Sequence, residues 1–177
     1  MSSTITNLNA ANLFVGDDDP TRSEFLTLKT VKLPKLTQST KEHLGGGAAA
    51  KITLALANFT LDPLTFNLEG VNPHLIDRFM SPNRIKYTLR ANLFDAQAQL
   101  NIPLVAVLEG KMTELDIGEF QSDQGVATAY SIQELVYYEL KIDNTEKIYF
   151  NYFAGLAGLR INGRAPLADA AANIGLS

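Results

Sequence analysis

The residues best suited to chemistry are two histidines, one acidic run and one glycine run. His43 and His74 are the only imidazoles, and the chain contains no cysteine. A metal site or a proton-transfer site built on either histidine would need partners that the sequence does not cluster around it. The lack of cysteine excludes disulfides, thiolate catalysis and a zinc ribbon. We therefore expect both histidines to be solvated or capped and to have no role in catalysis or metal binding.

Sequence motifs for catalysis are absent from the chain. It contains no G-x-S-x-G elbow, no P-loop, no H-E-x-x-H helix, no dinucleotide-binding glycine fingerprint and no EF-hand loop. A nucleophile, a base and an orienting group cannot be assembled from neighbouring residues. We therefore predict that the protein is not an enzyme and carries neither a metal nor another cofactor.

Two runs could still bind ions. Asp17, Asp18 and Asp19 are consecutive, whereas calcium loops space their ligands at alternate positions, so a solvated acidic turn is favoured. The run of three glycines, 45–47, could offer amides to an anion. It lacks a helix start and the lysine of a phosphate loop, so flexibility is the better explanation.

Composition indicates one ordinary globular domain with an acidic surface. The chain has 177 residues, of which 46% are hydrophobic and 19% are charged, and its net charge is -4. An acidic surface does not neutralise phosphates, so any relation to DNA must be indirect. The first residues lack the basic and apolar regions of a signal peptide, and no apolar run is long enough for a membrane span. We expect synthesis in the cytoplasm.

Hydropathy patterning predicts a β-rich chain. We expect a flexible N-terminal extension over residues 1–12 and a single domain over 13–177. Alternating apolar residues predict half-buried strands, each with one face toward the core. A further segment, 25–35, is β-like but irregular. The alternating patterns cover residues 52–56, 64–68, 85–93, 100–108, 130–142 and 148–153.

Two short helices complete the predicted elements. Asn72 can cap a helix that starts at Pro73 and runs to residue 80. A terminal helix over 166–175 would end at Gly175. The predicted fold class is mainly β, a sandwich or barrel of two antiparallel sheets, with one short flanking helix and a C-terminal helix.

A long polar segment separates two of the β patterns. Residues 37–50 comprise fourteen positions, whereas a plain hairpin closes with two to five residues. Long loops in compact domains are usually functional or disordered. We therefore predict a functional loop over 37–50, with a surface loop that lacks a partner as the alternative.

Five stretches of the chain together carry a family resemblance. In chain order they are LPKLT, ITLALANFTLDPLTFNLEG, GKMTELDIGE, YYELKIDN and RINGRAPLADAAANIGL. These stretches resemble the major tail tube protein of contractile-tailed bacteriophages. The resemblance covers about residues 12–176, and none of its motifs is catalytic.

This resemblance implies a tail-tube fold and a structural role in the virion tail. Such proteins form hexameric rings that stack into the hollow inner tube inside a contractile sheath. Implied partners are further copies of the chain, the sheath protein, baseplate or tail-initiation proteins, a tail terminator and a tape-measure protein in the lumen. DNA would pass through without specific binding. The implied ring-stacking residues are Leu33, Pro34, Leu36, Thr37, Gln38, Lys41, Glu42, His43, Gly45, Gly46 and Gly47.

Carboxylates in the lumen would repel phosphate and keep DNA from adhering. The candidate lumen acids are Glu69, Asp116, Glu119, Asp123 and Glu139. Two other functions stay open. One is the tube of a phage-like injection particle or secretion needle, which genomic neighbours would reveal. The other is a monomeric β-sandwich binding module that uses Tyr137 and Tyr149 as exposed aromatics.

Overall fold

The computed structural model describes residues 5–16 and 22–176 of the chain. These residues form ten strands, two α-helices and one 3-10 segment, Tyr152–Gly158. The α-helices are α1, Pro73–Ile76, and α2, Ala168–Asn173. The strands are β1 Thr6–Val15, β2 Leu28–Lys32, β3 Leu36–His43, β4 Ile52–Leu61, β5 Leu64–Glu69, β6 Ile85–Asp95, β7 Leu100–Asp116, β8 Ala127–Ile142, β9 Thr145–Asn151 and β10 Leu159–Ile161.

Eight of the strands form one antiparallel sheet. Its main path runs β1-β6-β7-β8-β5-β2, and β9 and β10 extend from the second half of β8. β8 therefore pairs with β5 along its first half and with β9 along its second half. The outer strands β1 and β2 contact each other, and Phe14 pairs with Ser23, so the sheet curls around its core. β3 and β4 form a separate two-stranded sheet.

The core consists of the inward side chains of this curled sheet. Leu64, Phe66 and Leu68 alternate with less buried residues along β5, as the sequence pattern predicts. Phe66 stacks on Tyr130 of β8 with ring centroids 4.9 Å apart. Full burial of such side chains contributes about 1.5–3 kcal/mol each, which makes this the main source of stability.

β-Bulges bend the two longest strands. The register between β7 and β8 shifts twice, around Gly110 and around Thr113. A Cβ at Gly110 would lie 2.7 Å from the carbonyl oxygen of Gln133, so only glycine fits there. Opposite, Glu134 has a positive φ of 50°. Such a bulge re-aims neighbouring side chains and increases local twist.

The fold class predicted from the sequence is confirmed, with antiparallel sheets and short helices. Asn72 caps α1 as predicted, because its side chain accepts a hydrogen bond from the backbone amide of His74 at 3.0 Å. The helix is nevertheless shorter than the predicted 73–80 and ends at Ile76. The C-terminal helix is present, and Gly175 follows it with a φ of 78°.

The predicted flexible extension over 1–12 is wrong for residues 6–12. These residues lie in β1, which pairs with β6 from Thr6 opposite Asp95 to Val15 opposite Tyr87. A strand at a sheet edge is held by its backbone and shows polar side chains to solvent, so its sequence lacks a clear apolar pattern. Residues 1–4 and the acidic run 17–19 lie outside the described part of the chain.

The predicted loop over 37–50 is also wrong in extent. Its first seven residues form most of β3, paired with β4, and only residues 44–51 connect the two strands. Threonine, glutamine and serine in β3 gave no apolar alternation, yet they form a strand because β4 supplies hydrogen-bond partners. The segment is therefore a hairpin with a long tip.

Candidate functional site

The most distinctive surface is a hairpin that leaves the body of the protein. We call residues 36–61 the arm; it comprises β3, β4 and their connection. Its base is anchored, since Leu36 and Leu61 pack against the core. Beyond the base, β3 and β4 pair only with each other in the described structure. A two-stranded hairpin alone is at best marginally stable in water, so the arm depends on further contacts.

A bulge marks the point where the arm becomes fully exposed. The register shifts between Gln38 and Thr40, where β4 has two more residues than β3. Gln38 donates a side-chain hydrogen bond to the carbonyl oxygen of Leu56 at 2.8 Å and so satisfies a group that the bulge leaves unpaired. The distal arm, residues 40–55, thus keeps a defined register with the base.

The distal arm has one apolar face with nothing to cover it. Ile52, Leu54 and Leu56 alternate along β4 and are exposed by 54%, 43% and 38%. Their cross-strand neighbours Lys41 and His43 lie on the same face. The sequence predicted that β4 turns this face to the core, and the structure contradicts that prediction. An exposed apolar face of this kind is typical of a surface that binds another protein.

The tip of the arm contains more glycine than its conformation requires. The amide of Ala48 donates to the carbonyl oxygen of Gly45 at 3.0 Å, which closes a turn. None of Gly45, Gly46 and Gly47 has a positive φ, and a Cβ at Gly46 or Gly47 would meet no atom within 4 Å. The subunit itself therefore gives no steric reason for glycine at these two positions.

The structure divides the predicted ring-stacking residues into two groups. Leu33, Pro34 and Leu36 lie at the anchored base, where Pro34 is buried. The others lie on the exposed strands or tip of the arm: Thr37, Gln38, Lys41, Glu42, His43, Gly45, Gly46 and Gly47. Lys51 and Glu42 form an ion pair of 3.4 Å there. Such an exposed pair contributes little stability.

Four of the five candidate lumen acids lie near one another. Glu69 ends β5, Asp116 ends β7, and both strands pair with the start of β8. Glu119 and Asp123 lie in the loop between β7 and β8, whose Gly125 approaches Glu69. Glu139 lies near the other end of β8 and forms a 2.9 Å ion pair within its own strand. The acids therefore do not form one continuous surface in the subunit.

A second surface is an apolar groove beside the base of the arm. Its volume is about 720 Å³. The walls come from the end of β4, the bulge of β8, β9 and the 3-10 segment, together with Leu167 and Leu176 on either side of α2. Phe59 of the arm and Phe150 of β9 meet edge to face within it, with ring centroids 5.3 Å apart. The apolar lining residues are Phe59, Leu61, Leu135, Phe150, Leu156, Leu159, Leu167 and Leu176.

A charged cluster fixes the rim of this groove. Glu134 accepts hydrogen bonds from Nε and Nη2 of Arg84 at 3.1 and 2.6 Å, and its other oxygen lies 3.6 Å from Nζ of Lys111. The hydrogen bond from Arg84, assisted by Lys111, holds the pKa of Glu134 below its ordinary value. The cluster holds the strained bulge residue in place.

The two tyrosines proposed as the ligand face of a binding module pack against other side chains of the subunit. Tyr137 and Tyr149 are half-buried and pack edge to face at 5.7 Å. The guanidinium of Arg160 lies 3.7 Å from the centre of the Tyr149 ring and pairs with both oxygens of Glu146. Burial raises the pKa of Tyr137 to about 12. These rings do not form an open aromatic platform.

Residues 5–16 and 22–176 contain no group of three or more metal-binding side chains that could hold an ion. Within the same residues, no helix has the length and apolar character needed to cross a membrane.

Two solved structures are similar to this chain. Among solved structures, a chain in the cryo-EM structure of the anti-feeding prophage (AFP) baseplate, 6-fold symmetrised, is similar, with a TM-score of 0.50 and 12% identity. The alignment covers 80% of this chain and 94% of that one. Hcp1 from Salmonella typhimurium has a TM-score of 0.47 and 11% identity, covering 82% and 97% of the two chains.

The sequence comparisons differ in outcome. No curated protein sequence matches this chain. The family profile described as phage tail tube protein FII matches residues 5–175, which is nearly the whole chain. The chain therefore belongs to the phage tail tube protein FII family and is a structural protein of a phage tail, not an enzyme.

Proposed function

We propose that the protein forms hexameric rings that stack into the hollow inner tube of a phage tail, through which DNA passes on infection. The observation that carries this proposal is the arm with its uncovered apolar face. Ile52, Leu54 and Leu56 remain partly in water in the subunit, and contact with a neighbouring copy would bury them. A tube supplies such a neighbour to every subunit.

The tip of the arm supports close contact between copies. Gly46 and Gly47 have free space around their Cβ positions and an ordinary backbone conformation in the subunit. Glycine lets another backbone approach more closely than any other residue does. The glycine run would then serve the contact with the next ring, where a side chain would hold the two backbones apart.

Free strand edges supply a second kind of contact, within the ring. In the described structure the first residues of β1 pair with β6 on one side only, and β10 pairs with β9. β1 is one end of the main sheet path, and β10 ends the branch that leaves this path at β8 through β9. Unpaired edges invite other chains. Joining one edge to the opposite edge of the next copy is a head-to-tail contact, which closes into a ring when the rotation permits.

The acidic charge suits passage of DNA without binding. The net charge is -4, and Glu69, Asp116, Glu119 and Asp123 gather at one end of the sheet. If that end lines the lumen, its carboxylates repel phosphates and leave DNA free to move. A tube that carries a cargo other than DNA would need no such repulsion. The charge on the lumen therefore distinguishes a DNA-carrying tail tube from the tube of an injection particle.

Assembly in a tail requires partners at both ends and outside. The proposed partners are the tail sheath protein, a baseplate or tail-initiation protein, a tail terminator and a tape-measure protein in the lumen. Head-to-tail stacking has no internal stop, because each added ring presents the surface that the previous one presented. Tube length must therefore be set by those other components.

Negative-stain electron microscopy of the purified protein tests this function. Rings with six subunits and a central hole, or hollow tubes built from them, are the expected result. A variant with residues 41–54 replaced by Asn-Gly is the matched control, because Thr40 and Ala55 are directly paired and a two-residue turn can join them. It should give single rings or free subunits. A wild-type protein that stays monomeric at every concentration contradicts the proposal.

A further inference from the structure

The apolar groove lacks an occupant within the described subunit. Its walls come from β4, β8, β9, the 3-10 segment and the residues on either side of α2, and aliphatic or aromatic side chains line most of it. A volume of about 720 Å³ is within the range of sites that bind a compact apolar group. Leu176 stands at its edge and is 42% exposed. The groove is therefore open to a ligand from outside.

The subunit's own distal arm is held away from this groove. Residues 57–61 of β4 form one groove wall, and the same strand continues outward to Ile52 in register with β3. Folding the distal arm back onto the groove would require a bend at the bulge, where the hydrogen bond from Gln38 to the carbonyl oxygen of Leu56 holds the arm extended. No residue of the distal arm lines the groove of its own subunit, so in this extended conformation the groove can receive only the arm of another copy.

Charge favours the same pairing. The arm contains two lysines, Lys41 and Lys51, and one acid, Glu42, so its net charge is +1. Because the whole chain has a net charge of -4, the rest of the chain has a net charge of -5. Lys41 lies on the apolar face of the arm, and Asp62 lines the groove, whereas Glu134 is already paired with Arg84 and Lys111. An arm entering from another copy can place Lys41 beside Asp62, which steers association and fixes its orientation.

We propose that the apolar groove receives the apolar face of the distal arm from a second copy of the chain. This inference rests on the proposed function and identifies the acceptor for its arm. Donor and acceptor are different surfaces of one subunit, so each copy can give one arm and receive another. Such a heterologous contact propagates from copy to copy and does not end at a dimer.

Engineered cysteines test the contact directly, because the natural chain has none. We would mix an Ile52→Cys variant with a Leu167→Cys variant, assemble them, oxidise the tubes and separate the products without reductant. A covalent dimer with one copy of each variant is expected, whereas each variant alone should stay monomeric. Thr53→Cys lies on the opposite face of the arm and is the matched control. Leu176→Cys, at the exposed end of the chain, is a second acceptor.

The outcomes distinguish the inference from the proposed function. A heterodimer at least ten times more abundant with Ile52→Cys than with Thr53→Cys supports the groove as acceptor. Tubes that form normally while neither acceptor cysteine cross-links to Ile52→Cys overturn the groove and leave the tube function standing. A wild-type protein that forms no assembly overturns both.

Discussion

Removing the apolar face of the arm should weaken assembly without weakening the subunit. The change is the double substitution Ile52→Ala and Leu54→Ala. Fully burying one such side chain contributes about 1.5–3 kcal/mol, and these two are already about half shielded, with 54% and 43% exposed. Burying the remainder then contributes on the order of 2 kcal/mol for the pair. At about 1.4 kcal/mol per tenfold, the critical concentration for tube growth should rise roughly 30-fold.

Light scattering and pelleting over a concentration series measure that critical concentration. The free energy of unfolding of the free subunit, from urea denaturation, should change by less than about 0.5 kcal/mol, as for other surface substitutions. Thr53→Ala on the opposite face of the same strand is the control and should leave both quantities unchanged. An unaltered critical concentration for the double variant would refute the reasoning. So would a large loss of subunit stability, since the two side chains would then belong to the core.

Four further predictions concern the arm, Glu134 and two glycines. Replacing residues 41–54 by Asn-Gly should abolish tubes in electron micrographs while the unfolding midpoint of the subunit hardly changes, because this segment is exposed. Glu134→Gln should lower the urea midpoint near neutral pH and cease to matter in acid. The pKa of Glu134 is depressed by Arg84, so its contribution is present above the ordinary glutamate pKa and is lost as pH falls through the depressed one. Gly110→Ala should lower the free energy of unfolding by about 1–3 kcal/mol, because the added Cβ overpacks the bulge. Gly46→Ala should leave the stability of the free subunit unchanged, because open space surrounds its Cβ position, and thermal unfolding measures both effects.

Much of the sheet could be predicted because its strands follow the alternation of a half-buried surface. β5 and β6 show apolar residues at every second position, and the structure buries those of β5 and the first three of β6, Ile85, Tyr87 and Leu89. The resemblance to tail tube proteins is confirmed by the family match. Both signals depend on the body of the protein, where the subunit itself provides the partner for each apolar face.

The prediction failed for the two strands of the arm. β3 has polar side chains along its exposed length and is held by hydrogen bonds to β4, so hydropathy could not reveal it. β4 shows the alternation of a core strand, yet Ile52 and Leu54 are exposed in the subunit. At the bulge β4 has two more residues than β3. This extra length does not change the apolar alternation of β4, so the sequence pattern did not reveal the bulge.

The apolar groove could not be predicted from the sequence either, but for a different reason than the arm. Its lining residues come from segments far apart in the sequence, from Phe59 to Leu176, and each segment reads as ordinary core. Only the curled sheet and the 3-10 segment bring them together. The sequence cannot show which of the candidate lumen acids share a surface. The structure separates Glu139 from the other four because β8 is long and Glu139 lies near its far end.

Hydrogen exchange of the arm, before and after assembly, tests the central claim most directly. An isolated two-stranded hairpin opens readily, so the amides of β3 and β4 beyond Gln38 should exchange fast in free subunits. The same amides should be strongly protected in tubes, because a neighbouring copy covers the apolar face. Core amides of β7 should be protected in both states. Equal exchange of the distal arm in free subunits and in tubes would contradict its role in assembly.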